Sequence, residues 1–182
     1  MSSKIIFIIG GARSGKSSFA LKEASTILGK KAYIATAEAL DSEMKVRIER
    51  HKKDRGNNWD TYEEPLKIAE IFREIKDKYN VIVIDCLTLW LSNLVSRNSD
   101  IIYEIEKFIN ALRITPAYRT GRHYALRIYI VSNEVGMGIV PDNEMAREFR
   151  DMTGVLNQKI AEMADEVYVV TAGIPVKIKS ST

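Results

Sequence analysis

The chain has 182 residues, a length that suggests one domain. Hydrophobic residues at 46% suit a globular core, and a net charge of +3 favours anionic ligands mildly, without the clustered basic face that a nucleic-acid coat requires. The single cysteine, Cys86, excludes an intrachain disulfide and a cysteine metal cluster and fits a reducing cytoplasm; the apolar runs are too short for a bilayer span or a signal-peptide core.

Strands and helices alternate along the chain. Residues 4–9 form a continuous apolar run, as expected of a parallel strand buried on both faces. Residues 16–28 read as a helix ending at Gly29, and 31–36 as a second strand. A helix follows over 41–53, with Leu40, Met44, Ile48 and His51 on one face, and Gly56-Asn57-Asn58 breaks it. Residues 59–62 give a short edge strand. The next helix, 65–79, has Pro65 in its first turn and Ile68, Ile71, Phe72 and Ile75 at helical spacing. The β-branched run 81–85 is a strand, 88–96 and 101–112 are helices, and 127–132 is a strand. Asp142 is placed to cap a helix running to Ala164, whose core stripe is Met145, Phe149, Met152, Leu156, Ile160 and Met163. Strands at 167–171 and 176–179, joined through Gly173 and Pro175, form a closing hairpin. Only 113–127, with Pro116, Gly121, His123 and four arginines, lacks periodicity and reads as a long loop. The order predicts an α/β domain over 1–182: a mainly parallel sheet with helices on both faces and a C-terminal hairpin strand.

Gly10-Gly11-Ala12-Arg13-Ser14-Gly15-Lys16-Ser17 matches the G-x-x-x-x-G-K-[ST] phosphate loop, between an apolar strand and a helix. Backbone amides and the helix N-terminus in such a loop surround phosphate oxygens. Lys16 is expected to reach the β- and γ-phosphates, and Ser17 to ligate Mg²⁺. The fold expected is therefore of the P-loop NTPase (RecA-like) type. Asp85, after four apolar residues of a strand, stands at the sheet's carboxyl edge, where it serves either as a second Mg²⁺ ligand or as the cap of the following helix.

His51 stands among Arg47, Arg50, Lys52, Lys53 and Arg55. Two readings are open. Basic residues at a helix C-terminus oppose its dipole, and the histidine is then structural. Alternatively, the positive charges stabilise a triphosphate under attack, and the imidazole forms a covalent phosphoramidate that splits one transfer into two.

The phosphate loop, Tyr33-Ile34-Ala35-Thr36-Ala37, the stretch 41–51 and above all Ser132-Asn133-Glu134-Val135-Gly136-Met137-Gly138-Ile139-Val140-Pro141 resemble the bifunctional adenosylcobinamide kinase/adenosylcobinamide-phosphate guanylyltransferase family. Ala164-Asp165-Glu166-Val167 and the stretch 173–179 fit it too, so the resemblance covers nearly the whole chain. It implies phosphorylation of the aminopropanol hydroxyl of adenosylcobinamide by GTP or ATP. Transfer of GMP from GTP to that phosphate follows, through a GMP–histidine intermediate, in cobalamin biosynthesis. The matching histidine is His51, not His123. Guanine-nucleotide contacts map to Gly10, Gly11, Ala12, Arg13, Ser14, Gly15, Lys16 and Ser17, to Thr36, Ala37 and Glu38, to Lys52, Lys53, Asp54 and Arg55, and to Glu63 and Asp85. The resemblance implies a cytoplasmic homo-oligomer, a trimer, acting on a corrinoid and not on nucleic acid. Gly56 follows Arg55 where the family often has proline, and Asp85 stands where some relatives have Glu.

Other readings of the same residues are a P-loop kinase of another small metabolite, which leaves His51 no covalent role, and a nucleotide-driven nucleic-acid module with 113–127 as its contact loop. Taken on its residues alone, 132–141 is either a turn-making loop or a substrate loop, with Gly136 and Gly138 permitting close approach and Glu134 available to substrate or metal.

Overall fold

The computed structural model describes residues 3–39, 41–113 and 125–180, with all their side chains except those of Arg47 and Asp54. Most of the irregular stretch expected at 113–127, with His123, lies outside the described residues, as does Leu40.

Among the described residues seven strands form one sheet: β1 Lys4–Gly10, β2 Lys31–Ala35, β3 Asp60–Glu63, β4 Val81–Asp85, β5 Arg127–Asn133, β6 Glu166–Thr171 and β7 Ile174–Ser180. Their order is β3-β2-β4-β5-β1-β6-β7, parallel throughout except for antiparallel β7. Among the described residues six α-helices connect them: α1 Lys16–Ser25, α2 Ser42–Arg55, α3 Ile68–Ile75, α4 Leu87–Ser96, α5 Ile101–Arg113 and α6 Glu144–Met163. This is the mainly parallel sheet and closing hairpin expected from the sequence.

Period-two alternation divides the strand side chains between two cores. Ala32, Ile34, Ile82, Ile84, Ile128 and Ile130 face a large cluster built from α3, α4, α5 and α6, with Phe72, Trp90 and Phe108 fully buried in it. Tyr33, Val81, Val83, Tyr129 and Val131 face the opposite side, where α1 contributes Ala20, Leu21 and Ala24, and Trp59 packs beside them. Helices do cover both faces, but unequally. Among the described residues α2 contributes to neither core.

Several boundaries differ from the sequence reading, each for a local reason. Helix α1 stops at Ser25, because the amides of Thr26 and Ile27 bond three residues back and tighten the last turn. Gly29 is then not the helix cap; it makes the turn into β2 at φ +106°, where a Cβ would lie 2.3 Å from Asn80 Oδ1. Helix α3 starts at Ile68 rather than at Pro65, since the Glu64 carboxylate accepts from the amides of Leu66 and Lys67 and holds a turn there. Asn143, not Asp142, caps α6, accepting from the Ala146 amide at 2.9 Å. The hairpin turn is Ala172-Gly173, both at positive φ, and Pro175 belongs to the edge strand β7 opposite Val170, where its missing N–H is tolerated.

The hairpin is tied to β1 through Glu166, which accepts from Lys4 at 3.3 Å, Lys177 at 3.0 Å and the Tyr168 hydroxyl at 3.0 Å. Burial alone would raise its pKa, but those three donors outweigh it and hold the carboxyl at about 2, below the ordinary 4.5. A carboxylate depressed in the folded state stabilises the fold above its unfolded pKa, and that contribution is lost as pH falls through the folded value. Unfolding followed between pH 7 and pH 2 should therefore show roughly 2–3 kcal/mol draining away below pH ~4.5. Glu166→Gln should be less stable at pH 7 and show a flatter acid limb; an unchanged limb would refute this account.

Candidate active site

The phosphate loop leaves β1 at Gly10, inside the sheet between β5 and β6. A Cβ on Gly10 would come 2.2 Å from the Val170 carbonyl oxygen, so only glycine fits against β6 there. Gly15 sits at φ +97°, and a Cβ on it would lie 3.2 Å from Gly173 Cα. The Gly173 amide donates to the Ser14 carbonyl at 2.9 Å, so the β6–β7 turn buttresses the loop from outside. Inside, the nearly buried Lys16 donates to Gly11 O at 2.5 Å and to Ser14 Oγ at 3.4 Å. The ammonium is thereby centred within the loop's own curve.

Beside the loop, at the carboxyl ends of β2 and β4, lies a cleft of about 520 Å³, within the range of nucleotide-sized pockets. Ser17, Ala37, Glu38, His51, Lys52, Arg55, Glu63 and Asp85 all line it. Helix α2 forms one wall. Asp41 caps it by accepting from the Met44 amide at 2.7 Å, and its cleft-lining residues Met44, Ile48, His51 and Arg55 recur at helical spacing. The face read from the sequence is thus the face turned to the cleft, but it covers a pocket rather than a core.

Contacts around the cleft are specific. Asp85 does not cap α4: that position is taken by Cys86, without a side-chain bond. Instead Asp85 Oδ2 accepts from the Tyr33 hydroxyl at 2.6 Å. Burial, with the Asp85 carboxylate beside it, raises the Tyr33 pKa well above the usual phenol range, so the hydroxyl remains a donor. The Arg55 guanidinium lies 4.1 Å from the centre of the Tyr33 ring. Lys52 is ion-paired with Glu63, Glu38 with Arg97 at 2.9 Å, and Arg13 of the loop with Glu43 of α2 at 3.1 Å. Burial pushes the Cys86 thiol up to about 12, so the cleft's cysteine is no thiolate nucleophile at neutral pH.

Other sequence-predicted residues sit differently. Thr36 is fully buried: its hydroxyl bonds the Cys86 carbonyl and amide, each at 2.8 Å, and its own carbonyl accepts from Asn93. It shapes the chain entering Ala37 and Glu38. Lys53 is exposed outside the cleft lining, and the Asp54 side chain is outside the described set. Glu134 Oε1 accepts from the Gly136 amide at 2.6 Å, and the Glu134 amide donates to Gly10 O, so this loop's first turn is anchored to the phosphate loop. Met137 and Ile139 beyond it are almost fully exposed.

The donor set fits a small hard cation. Mg²⁺ is usually held by one or two protein oxygens and by substrate phosphates, and Ser17 and Asp85 offer a hydroxyl and a carboxylate in one cleft. Among the described residues nothing donates to Asp85 Oδ1, and there is no cluster of three or more His, Cys, Asp or Glu that could form a self-sufficient metal cage.

Sequence reasoning left Tyr33 out of the site. In a strand it reads as one more alternating core residue; the available signal was its position two residues before the strand's carboxyl end, one strand over from Asp85.

Phosphate loop, neighbouring carboxylate and cleft at the sheet's carboxyl edge define a P-loop nucleoside-triphosphate-binding enzyme. Solved structures agree on the fold: the RadB recombinase (TM-score 0.52, 13% identity, 92% of this chain and 74% of that one) and the type III secretion ATPase EscN of enteropathogenic E. coli (TM-score 0.57, 14% identity, 93% and 43%) share it. The family model for cobinamide kinase / cobinamide phosphate guanyltransferase matches residues 6–178, and the chain belongs to that family. It is 36% identical to the bifunctional adenosylcobalamin biosynthesis protein CobU of Escherichia coli K12 over 96% of this chain and 99% of that one. With the corresponding protein CobP of Pseudomonas aeruginosa it shares 40% identity over 94% and 95%. The kinase of an unrelated metabolite, open on the residues alone, gives way to this family.

Proposed function

We propose that the chain phosphorylates the aminopropanol hydroxyl of adenosylcobinamide and then transfers GMP to the product through His51, as a step of cobalamin biosynthesis. The supporting observation is that His51 lines the same cleft as Ser17 and Asp85, on the inward face of α2. In the first reaction the hydroxyl oxygen attacks the γ-phosphorus of GTP or ATP, the bond to the β–γ bridging oxygen breaks, and the hydroxyl proton is released. Lys16 faces the charge that develops on the phosphates. In the second, an imidazole nitrogen of His51 attacks the α-phosphorus of GTP, a P–N bond forms, and pyrophosphate leaves. A phosphate oxygen of adenosylcobinamide phosphate then attacks the same phosphorus and the P–N bond breaks, giving adenosylcobinamide-GDP and free imidazole.

Ser17 and Asp85 would hold Mg²⁺ together with the phosphates, and the cation would supply charge neutralisation. Lys52 and Arg55, within one turn of His51, supply further positive charge at the cleft wall. Among the described residues α2 adds no side chain to either core, so its earlier turns can shift about the Arg55 end as the imidazole approaches the α-phosphate. A homotrimer in the cytoplasm, without nucleic acid as a partner, completes the proposal. No helix among the described residues is long and apolar enough to cross a membrane.

The test uses the full chain with Mg²⁺ and GTP labelled at the α-phosphate, quenched by denaturation. The expected result is protein-bound label that is acid-labile and alkali-stable, and that is chased into a cobinamide product when adenosylcobinamide phosphate is added. A preparation that binds GTP yet never retains label would remove the covalent route and leave a kinase.

A further inference from the structure

Tyr33 is buried, with its ring edge-on to Trp59 at 6.3 Å and 90°, so the direction of its hydroxyl is fixed by the core. Two groups of the cleft depend on that ring from different sides. The hydroxyl donates to Asp85 Oδ2 at 2.6 Å, and the ring face carries the Arg55 guanidinium at 4.1 Å.

The second contact matters because of how α2 is held. Its other ties near the cleft, Arg13–Glu43 and Lys52–Glu63, are ion pairs between side chains about half or more exposed, and such pairs contribute little. Arg55 is the only residue of α2 that is buried among those described, and it lies one turn after His51. A planar guanidinium on an aromatic face is geometrically demanding in a way that a lysine would not be. The first contact matters because a carboxylate with one oxygen fixed presents the other in one orientation, and partners of that kind tune metal affinity.

We propose that Tyr33 is a positioning residue for guanylyl transfer: its hydroxyl sets the cation-facing carboxylate of Asp85, and its ring seats Arg55 and with it the end of the helix that carries His51. This rests on the roles given above to Asp85 and His51. The hydroxyl also feels the Arg55 guanidinium, but the packing contact with Arg55 belongs to the ring, so the two tasks still separate by substitution. Tyr33→Phe keeps the ring and loses the hydroxyl. Tyr33→Leu loses both.

Two measurements on the full chain read the two arms. The first is equilibrium binding of a non-hydrolysable GTP analogue as a function of Mg²⁺ concentration. The second is the single-turnover rate of labelling from α-labelled GTP at saturating Mg²⁺. For Tyr33→Phe the Mg²⁺ midpoint should rise about tenfold, with the saturated labelling rate within about twofold of wild type. For Tyr33→Leu the midpoint should rise similarly, and the saturated rate should fall about tenfold or more. A lost packing contact alone would lower the melting temperature without dividing the two readouts in this way. Should Tyr33→Leu fail to fold, Arg55→Lys tests the ring arm from the other side, with slower labelling and an unchanged Mg²⁺ midpoint expected.

A midpoint in Tyr33→Phe that stays within twofold, or falls because the hydroxyl had competed with the cation, overturns the carboxylate arm. A saturated rate unchanged in Tyr33→Leu overturns the helix arm. If wild type itself takes up no label, the reading of His51 has failed and the helix arm falls with it; the Mg²⁺ midpoint still decides the carboxylate arm.

Discussion

His51→Ala should take up no label from α-labelled GTP, and its guanylyl transfer should fall by at least about four orders of magnitude, the scale on which removal of a covalent nucleophile acts. Phosphorylation of adenosylcobinamide should persist, because that transfer runs directly from the triphosphate to the acceptor hydroxyl. The substitution is structurally mild: His51 is half-buried at the cleft, in a helix that, among the described residues, adds no side chain to either core. Melting temperature should therefore hold. His123→Ala serves as the control and should label normally. Labelling that survives in His51→Ala would move the nucleophile elsewhere and return His51 to the bland reading, a histidine on a basic helix end.

Lys16→Met is expected to act on both reactions together. Its ammonium is centred in the phosphate loop by Gly11 O and Ser14 Oγ, and no other cation is held inside that loop among the described residues. Removing a preorganised positive group from a charge-developing site costs about 3–4 kcal/mol, so kinase and transferase rates should each fall by about two to three orders of magnitude. Stability should change little, since the buried charge lost with the ammonium offsets the hydrogen bonds lost with it. Parallel loss of the two activities would place both reactions at one loop. If one activity fell and the other stayed, the chain would have to bind its two nucleotides at separate sites.

The contrast between what the sequence disclosed and what it concealed follows from the range of the forces involved. The phosphate loop, the strands and the stripe Met44, Ile48, His51 are set by neighbours a few residues away, and all were legible. Helix ends were less so, because they turned on single side-chain bonds: Glu64 taking two amides and delaying α3, Asn143 taking the cap expected of Asp142. The site was legible where a motif or the family resemblance marked it. Tyr33 was not, because its meaning depends on Asp85, fifty-two residues on, and on Arg55 from a helix outside the core. Thr36 shows the converse: a residue marked as a nucleotide contact has its hydroxyl and carbonyl engaged by Cys86 and Asn93, within the protein.

The position of β1 inside the sheet also constrains the order in which the molecule is made. β1 pairs with β5, Lys4 opposite Arg127, and with β6, Ile6 opposite Glu166, and its phosphate loop rests on the turn at Gly173. Every one of those partners leaves the ribosome more than a hundred residues later. A nascent chain can pair β2, β3 and β4 early, but the loop's supports at Glu134 and Gly173 come only with β5 and the β6–β7 hairpin. Loop closures of that length are slow, so the phosphate loop's supports are completed late, when the β6–β7 hairpin docks.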